Sequence, residues 1–206
     1  MDDQTPLCAD PGAAAGLPAS PSREEAMLAV RTLIAWAGDD PAREGLRDTP
    51  RRVVDAFGDW FSGYRHDPAA VLARSFENVA NYDDMVLVRG IEVESHCEHH
   101  LAPVLGTASL AYIPDGRIVG LSKLARTVEI LARRLQTQET LTAQIAATLD
   151  RVLRPAGVAV LVDAAHQCMT TRGVRHRATS TVTTRFTGAF AAQSALRDRF
   201  VTLSTR

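Results

Sequence analysis

The sequence predicts an α+β fold in which antiparallel, hairpin-like strand pairs carry helices on one face. Three observations predict it. Strand-like alternation begins only near residue 85, after a run of helical spacing. The strands then come as two adjacent pairs separated by two helices, not singly between helices as in a parallel sheet. A further helical pattern closes the chain. The order is helices, two strands, two helices, two strands, helix.

Residues 1–21 place Pro6, Pro11, Pro18 and Pro21 among Ala and Gly, with almost no large apolar side chains. Such a segment buries too little surface to offset its ordering entropy, so a disordered tail is expected, with Cys8 a bystander. Ser22-Arg23-Glu24-Glu25 has the form of a capping box, and Met27, Val30, Ile34 and Ala37 recur at helical spacing up to Gly38. Thr49-Pro50 starts a second helix with Val53, Val54, Phe57 and Phe61 on its buried side, and Asp67-Pro68 opens a short helical turn. These helices form an expected region over 22–75, ahead of a strand-bearing domain over 76–206.

In that domain Ile91, Val93 and Ser95 alternate with Glu92 and Glu94, giving a strand with one buried face. A second strand runs from about Gly106 to Ile113 and ends in the turn Pro114-Asp115-Gly116. A helix follows with Ser122 as N-cap and Leu121, Leu124, Val128, Leu131 and Leu135 as its stripe. The next covers about Gln138 to Arg154, with Leu141, Ile145, Leu149 and Val152 on one side, before Pro155-Ala156-Gly157. Val158 to Ala165 is apolar on both faces, the mark of a central strand. A Thr-rich strand over about Arg177 to Thr187 and a helix over about Ala191 to Leu203 complete the chain.

The 206 residues carry 46% hydrophobic and 23% charged side chains and a formal net charge of −1. That balance suits a globular protein and gives no broad basic face, so nucleic acid is not an expected partner. No basic-then-apolar N-terminal run and no apolar stretch of about 18–20 residues is present, so neither a signal peptide nor a membrane span is expected. Three cysteines without disulfide-framework spacing point to a reducing cytoplasm.

Chemistry concentrates in His96-Cys97-Glu98-His99-His100 and in His166-Gln167-Cys168, which hold two of the three cysteines. Thiolate and imidazole are preferred zinc ligands, and Cys97, His100 and Cys168 make a three-ligand set that leaves a position open, as in catalytic sites. An open metal position lowers the pKa of water to about 7. His99 and His166 then remain as imidazoles suited to proton transfer. Glu98 orients a histidine or stays solvated, and His96 is expected at the surface. The ordinary alternative, core thiols beside surface histidines, accounts for each residue singly but not for their joint clustering. His96-Cys97-Glu98 also has the His-x-Glu form of zinc nucleobase deaminases, but the Pro-Cys-x-x-Cys they need is missing.

Ser122, Lys123 and Arg126 lie where a helix starts and favours anions, and Arg172 follows Cys168 by four residues. They suit a phosphate chain, or are dispersed surface charges. Glu139 opens the next helix after Gln138; its carboxylate matches the paired N–H donors of guanine, or serves the helix dipole.

Taken together, Ser95-x-Cys97-Glu98-His99-His100, Ala111-Tyr112-Ile113-Pro114, Gly120-Leu121-Ser122-Lys123-x-x-Arg126, Gln136-x-Gln138-Glu139-x-Leu141-Thr142, His166-x-Cys168-Met169-x-x-Arg172-Gly173 and Glu44-Gly45-Leu46-Arg47-Asp48-Thr49-Pro50-x-Arg52-Val53 resemble GTP cyclohydrolase I, in the family's order over about residues 22–206. The resemblance implies a tunnelling fold (T-fold), with strand pairs from several subunits forming a barrel and helices outside. It implies a homodecamer with active sites at subunit interfaces, and conversion of GTP to 7,8-dihydroneopterin triphosphate and formate, the entry to folate-type pterins. By position, Cys97, His100 and Cys168 would bind one Zn2+ per subunit, and His99, His166 and Ser122 would form the catalytic set. Glu139 and Gln138 would hold guanine. Lys123, Arg126 and Arg172, with Ser122, would contact triphosphate and ribose, joined by Arg52 from a neighbouring subunit. Thr140, Leu135 and His176-Arg177-Ala178 depart from the family's usual residues without touching a proposed ligand. A non-catalytic nucleotide-binding T-fold protein would lack a ligand or proton-transfer residue, and none is missing here. A T-fold deazapurine reductase would need a free nucleophilic cysteine, whereas Cys97 and Cys168 are committed to metal.

Overall fold

A computed structural model describes residues 21–77 and 82–205; the expected tail and Cys8 lie outside them, apart from Pro21. The described residues form two compact units that meet in sequence at Asp59/Trp60.

The first unit contains α1 (Arg23–Trp36) and most of α2 (Thr49–Trp60). Ser22 caps α1 by accepting from the Glu25 backbone while the Glu25 carboxylate accepts from the Ser22 N–H, the reciprocal box expected from the sequence. An Arg23–Asp55 ion pair links the two helices. Along the predicted stripe of α1, Met27, Val30 and Ile34 are half-buried, whereas Leu28, Leu33 and Trp36, outside that stripe, are exposed, Trp36 by 85%.

The second unit is built on a five-stranded sheet. Its elements are α3 (Pro68–Leu72), β1 (Ser75–Glu77), β2 (Val86–Cys97), β3 (Pro103–Ile113), β4 (Arg117–Val119), α4 (Leu121–Ala132), β5 (Leu135–Gln136), α5 (Gln138–Leu153), β6 (Gly157–His166), α6 (Gln167–Thr170), β7 (Thr181–Phe186), α7 (Gly188–Ala192) and α8 (Ser194–Ser204). The strand order is β5-β2-β3-β6-β7, antiparallel except for the β2–β5 pair, and β1 and β4 form a separate ribbon. This is the α+β arrangement the alternation predicts. Val158, Val160 and Val162 point to one face of the central strand β6, under Leu124, Val128 and Leu131 of α4 and Leu141, Ile145 and Leu149 of α5. Ala159 and Leu161 point to the other, where Phe190 and Phe200 of α7 and α8 cover one end.

Several boundaries differ for local reasons. The N-cap of α4 is Gly120, whose carbonyl accepts from the Lys123 N–H at 2.8 Å; Ser122 is the second residue of the helix and does not cap it. Arg154 ends α5 in the left-handed conformation, φ 47°, so Gly157 is free to begin β6. The terminal helix breaks at Gln193, whose extended backbone separates α7 from α8.

Gly63 sits against the end of α4 and donates to the Arg133 carbonyl at 3.1 Å. A Cβ there would lie 2.0 Å from the Ile130 oxygen and 2.7 Å from that of Arg133, both backbone atoms. Buried Arg134 locks the same junction by donating to the carbonyls of Gly63 and His66. Gly63→Ala is therefore expected to destabilise by about 2–3 kcal/mol, lowering Tm by roughly 5–10 °C. Thermal unfolding of the two proteins checks this. Among the described residues no helix is long and apolar enough to cross a membrane.

Candidate metal centre and active site

Topology brings the two motifs together. β2 and β6 both run antiparallel to β3, so they point the same way and end at the same edge of the sheet. Ser95, Val104 and His166 occupy one cross-strand row. Cys97 is two residues beyond Ser95, and Cys168 is two beyond His166. Each thiol therefore emerges just past that row, on either side of the start of β3.

The turn between β2 and β3 completes the set. The Cys97 N–H donates to the Ala102 carbonyl at 2.8 Å, and the Leu101 N–H donates to that of Cys97 at 2.9 Å. Leu101 takes a left-handed φ of 54°, uncommon for a branched residue, which turns the chain back into β3. One turn after Cys97, His100 points back at it, with Nδ1 3.9 Å from Sγ. Among the described residues, one group of potential ligands brings three donor atoms within 4.8 Å of one another: Cys97, His100 and Cys168. Neither cysteine is in a disulfide.

These residues fit a zinc-type metal. Two thiols and an imidazole are donor types that zinc prefers, and their three donor atoms already lie within 4.8 Å of one another. Cys97 is buried, Cys168 half-buried and His100 exposed, which leaves one side of the group open. Without a cation, burial pushes the Cys168 thiol up, the Cys97 sulfur adds to this, and the Arg172 guanidinium opposes it. A metal reverses that balance by favouring the thiolates. Arg172 is thus close enough to Cys168 to act on it.

The other histidines separate clearly. His99 is exposed, its Nδ1 3.6 Å from Cys97 Sγ and its Nε2 3.9 Å from a Glu98 oxygen, outside the three-atom group. His166 is half-buried; burial lowers its pKa, and the Glu139 carboxylate works against that shift. Its Nε2 lies 2.9 Å from Gln138 Oε1. Gln138 and Glu139 arrive because β5 pairs with the last residues of β2 and leads straight into α5, capped by Thr137. Glu139 is exposed, whereas Gln138 is buried.

His96 is a correction to the surface position expected for it. It is only 7% exposed, with its ring 5.2 Å from that of Trp60 and 5.1 Å from that of Phe61. Burial lowers its pKa, and its Nδ1 has no hydrogen-bond partner among the described residues. Sequence spacing carried no signal for this, because the two aromatic rings lie more than 30 residues away along the chain.

The remaining predicted residues stand elsewhere. Ser122 and Arg126 line a cavity of about 560 Å³ with Glu92, Glu94, Glu129 and Arg133. Lys123 instead lines a second one, about 360 Å³, with Arg65, His66 and Arg74. Neither lining includes a metal ligand. Arg52, in the first unit, is exposed and pairs with Asp48 at 3.6 Å.

The model of the family described as GTP cyclohydrolase I matches residues 26–205. The protein named GTP cyclohydrolase 1 from Maricaulis maris (strain MCS10) is 60% identical over 206 residues, all of both chains. Its namesake from Hyphomonas neptunium (strain ATCC 15444) is 60% identical over 183 residues, 89% of each chain. That from Brucella canis (strain ATCC 23365 / NCTC 10854 / RM-666) is 52% identical over 202 residues, 98% of this chain and 95% of the relative. The archaeosine synthase QueF-Like in its apo form covers 51% of this chain and 94% of its own at 16% identity, with a TM-score of 0.40, a likeness too slight to carry an argument.

Proposed function

The chain belongs to the GTP cyclohydrolase I family, and on that premise we propose that it converts GTP and water to 7,8-dihydroneopterin triphosphate and formate at a zinc centre held by Cys97, His100 and Cys168. The observation that carries the reading is the convergence of these three ligands beside a half-buried imidazole and an exposed carboxylate, His166 and Glu139. Zinc bound there acts as a Lewis acid, acidifying water and stabilising negative charge that develops on oxygen.

The chain's own residues supply the rest. Glu139 accepts the N1–H and N2–H of guanine, which orients the five-membered ring toward His166. His166 moves a proton to and from a nitrogen of that ring as it opens and formate leaves. His99, on the exposed side, serves the proton transfers of the ribose rearrangement before the six-membered ring closes. Arg172 offsets substrate charge at the same edge. Two separate imidazoles suit a sequence of proton transfers at different substrate atoms.

Ser122, Lys123, Arg126 and Arg172 contact the triphosphate and ribose in this reading, and Arg52 of a neighbouring copy joins them. Within one chain Ser122, Lys123 and Arg126 line cavities that contain no metal ligand, which supports sites completed by a second subunit. Exposed Leu28, Leu33 and Trp36 on α1 offer apolar surface for such assembly, in line with a homodecamer. Thiols that must stay reduced to bind metal suit the cytoplasm.

The reading is tested by incubating metal-replete protein with GTP and quantifying formate and the fluorescent pterin. Glu139→Gln is expected to lower kcat/KM about 100-fold, because a charge-assisted pair of hydrogen bonds is replaced by one acceptor facing two donors. Steady-state kinetics with GTP checks this; an unchanged kcat/KM would remove Glu139 from the site.

A further inference from the structure

We propose that Gln138 is the positioning residue for His166: it anchors the ring through Nε2–H and leaves Nδ1 as the nitrogen that exchanges protons with substrate. The inference rests on the proton-transfer role given to His166 and deepens it.

Gln138 is the first residue of α5 and only 4% exposed. Its Nε2 lies 3.0 Å from the Val162 carbonyl and 2.7 Å from that of Thr181. A carbonyl can only accept, so the amide must turn its N–H groups toward those two oxygens. A pair of threonines agrees. Thr142 donates its one hydroxyl proton to the Gln138 backbone oxygen at 2.7 Å. In its 2.7 Å contact with Thr142, Thr183 must therefore be the donor. With its own proton committed, Thr183 Oγ1 can only accept at its 3.2 Å contact with Gln138 Nε2, sharing one of the two amide protons with a carbonyl.

Flipping the amide would set Oε1 against two carbonyl oxygens. The orientation is therefore fixed, and Oε1 is the atom that faces His166 Nε2 at 2.9 Å. An acceptor there requires a proton on Nε2. In the neutral imidazole the lone pair then resides on Nδ1, so the tautomer follows from the Gln138 amide and the Val162, Thr181, Thr142 and Thr183 groups that orient it. The same network commits the Gln138 N–H groups and turns Oε1 to His166, while Glu139 is the exposed member of the pair.

The experiment has two arms. In 15N-histidine-labelled, zinc-loaded full-length protein, solid-state NMR reads which nitrogen of His166 carries hydrogen, the resonance being identified by its loss in His166→Asn. The expected result is a protonated Nε2 and a bare Nδ1; a proton on Nδ1 with Nε2 bare overturns the proposal. This arm requires no change at Gln138 and stands whether or not GTP is turned over, so its failure is separable from failure of the functional reading. In the second arm, Gln138→Met is expected to lower kcat for GTP about 10- to 100-fold, with KM held within about twofold, as for a misplaced proton-transfer group. A rise in KM with kcat retained would instead make the side chain a contact to the base and overturn the proposal.

Discussion

Cys168→Ala is expected to abolish metal binding and to lower GTP turnover at least 1,000-fold. A metal acting as Lewis acid supplies several kcal/mol of transition-state stabilisation, and about 4 kcal/mol corresponds to roughly three powers of ten. Removing Cys168 leaves Cys97 and His100, two ligands from a single turn, with nothing from the far side of β3. Two ligands do not make the three-ligand framework of a catalytic zinc site. The effect is separable from unfolding, because Cys168 is half-buried at the edge of the core and not within it. Elemental analysis of the purified variant, beside a formate assay, checks the prediction. Full metal content in Cys168→Ala would mean that the ligand set is drawn wrongly.

His166→Asn is expected to do something different: to keep the metal and lose about 100- to 10,000-fold in kcat, the range that a positioned general acid–base group contributes. His166 precedes Cys168 by two residues, yet its ring is turned to Gln138 and lies outside the group of three converging donors. Metal content and kcat measured on one preparation distinguish the roles. Loss of metal together with activity would move His166 into the ligand set.

The contrast between these residues shows what a linear pattern can reveal. Cys97, His100 and Cys168 were legible because ligand chemistry is rare and spacing concentrates it, and because two strands ending in such motifs must deliver them to one edge once both pair with β3. The alternation Ile91, Val93 and Ser95 was legible for the same elementary reason: each of these is buried while Glu92 and Glu94 are exposed. Gln138 was legible only as a polar residue beside Glu139; that its amide N–H groups meet carbonyls 24 and 43 residues away is not carried by spacing. His96 failed likewise, since rings from Trp60 and Phe61 enclose it. In α1 the periodicity correctly marks the side of Met27, Val30 and Ile34, which is half-buried, but it gives no account of Leu28, Leu33 and Trp36, which lie outside that stripe and stay exposed. Ser122 illustrates a smaller limit. A serine near a helix start reads as a cap, while the extended Gly120 two residues earlier occupies that position.

Dependence of GTP ring opening on a metal held by Cys97, His100 and Cys168 is read by following formate and pterin fluorescence together in one sample of GTP and metal-replete protein, then after chelation and again after zinc is restored. The predicted result is one formate for each pterin formed, loss of both on metal removal, and return of both with zinc. Turnover that survives complete metal removal, or consumption of GTP with the purine ring intact, would contradict it.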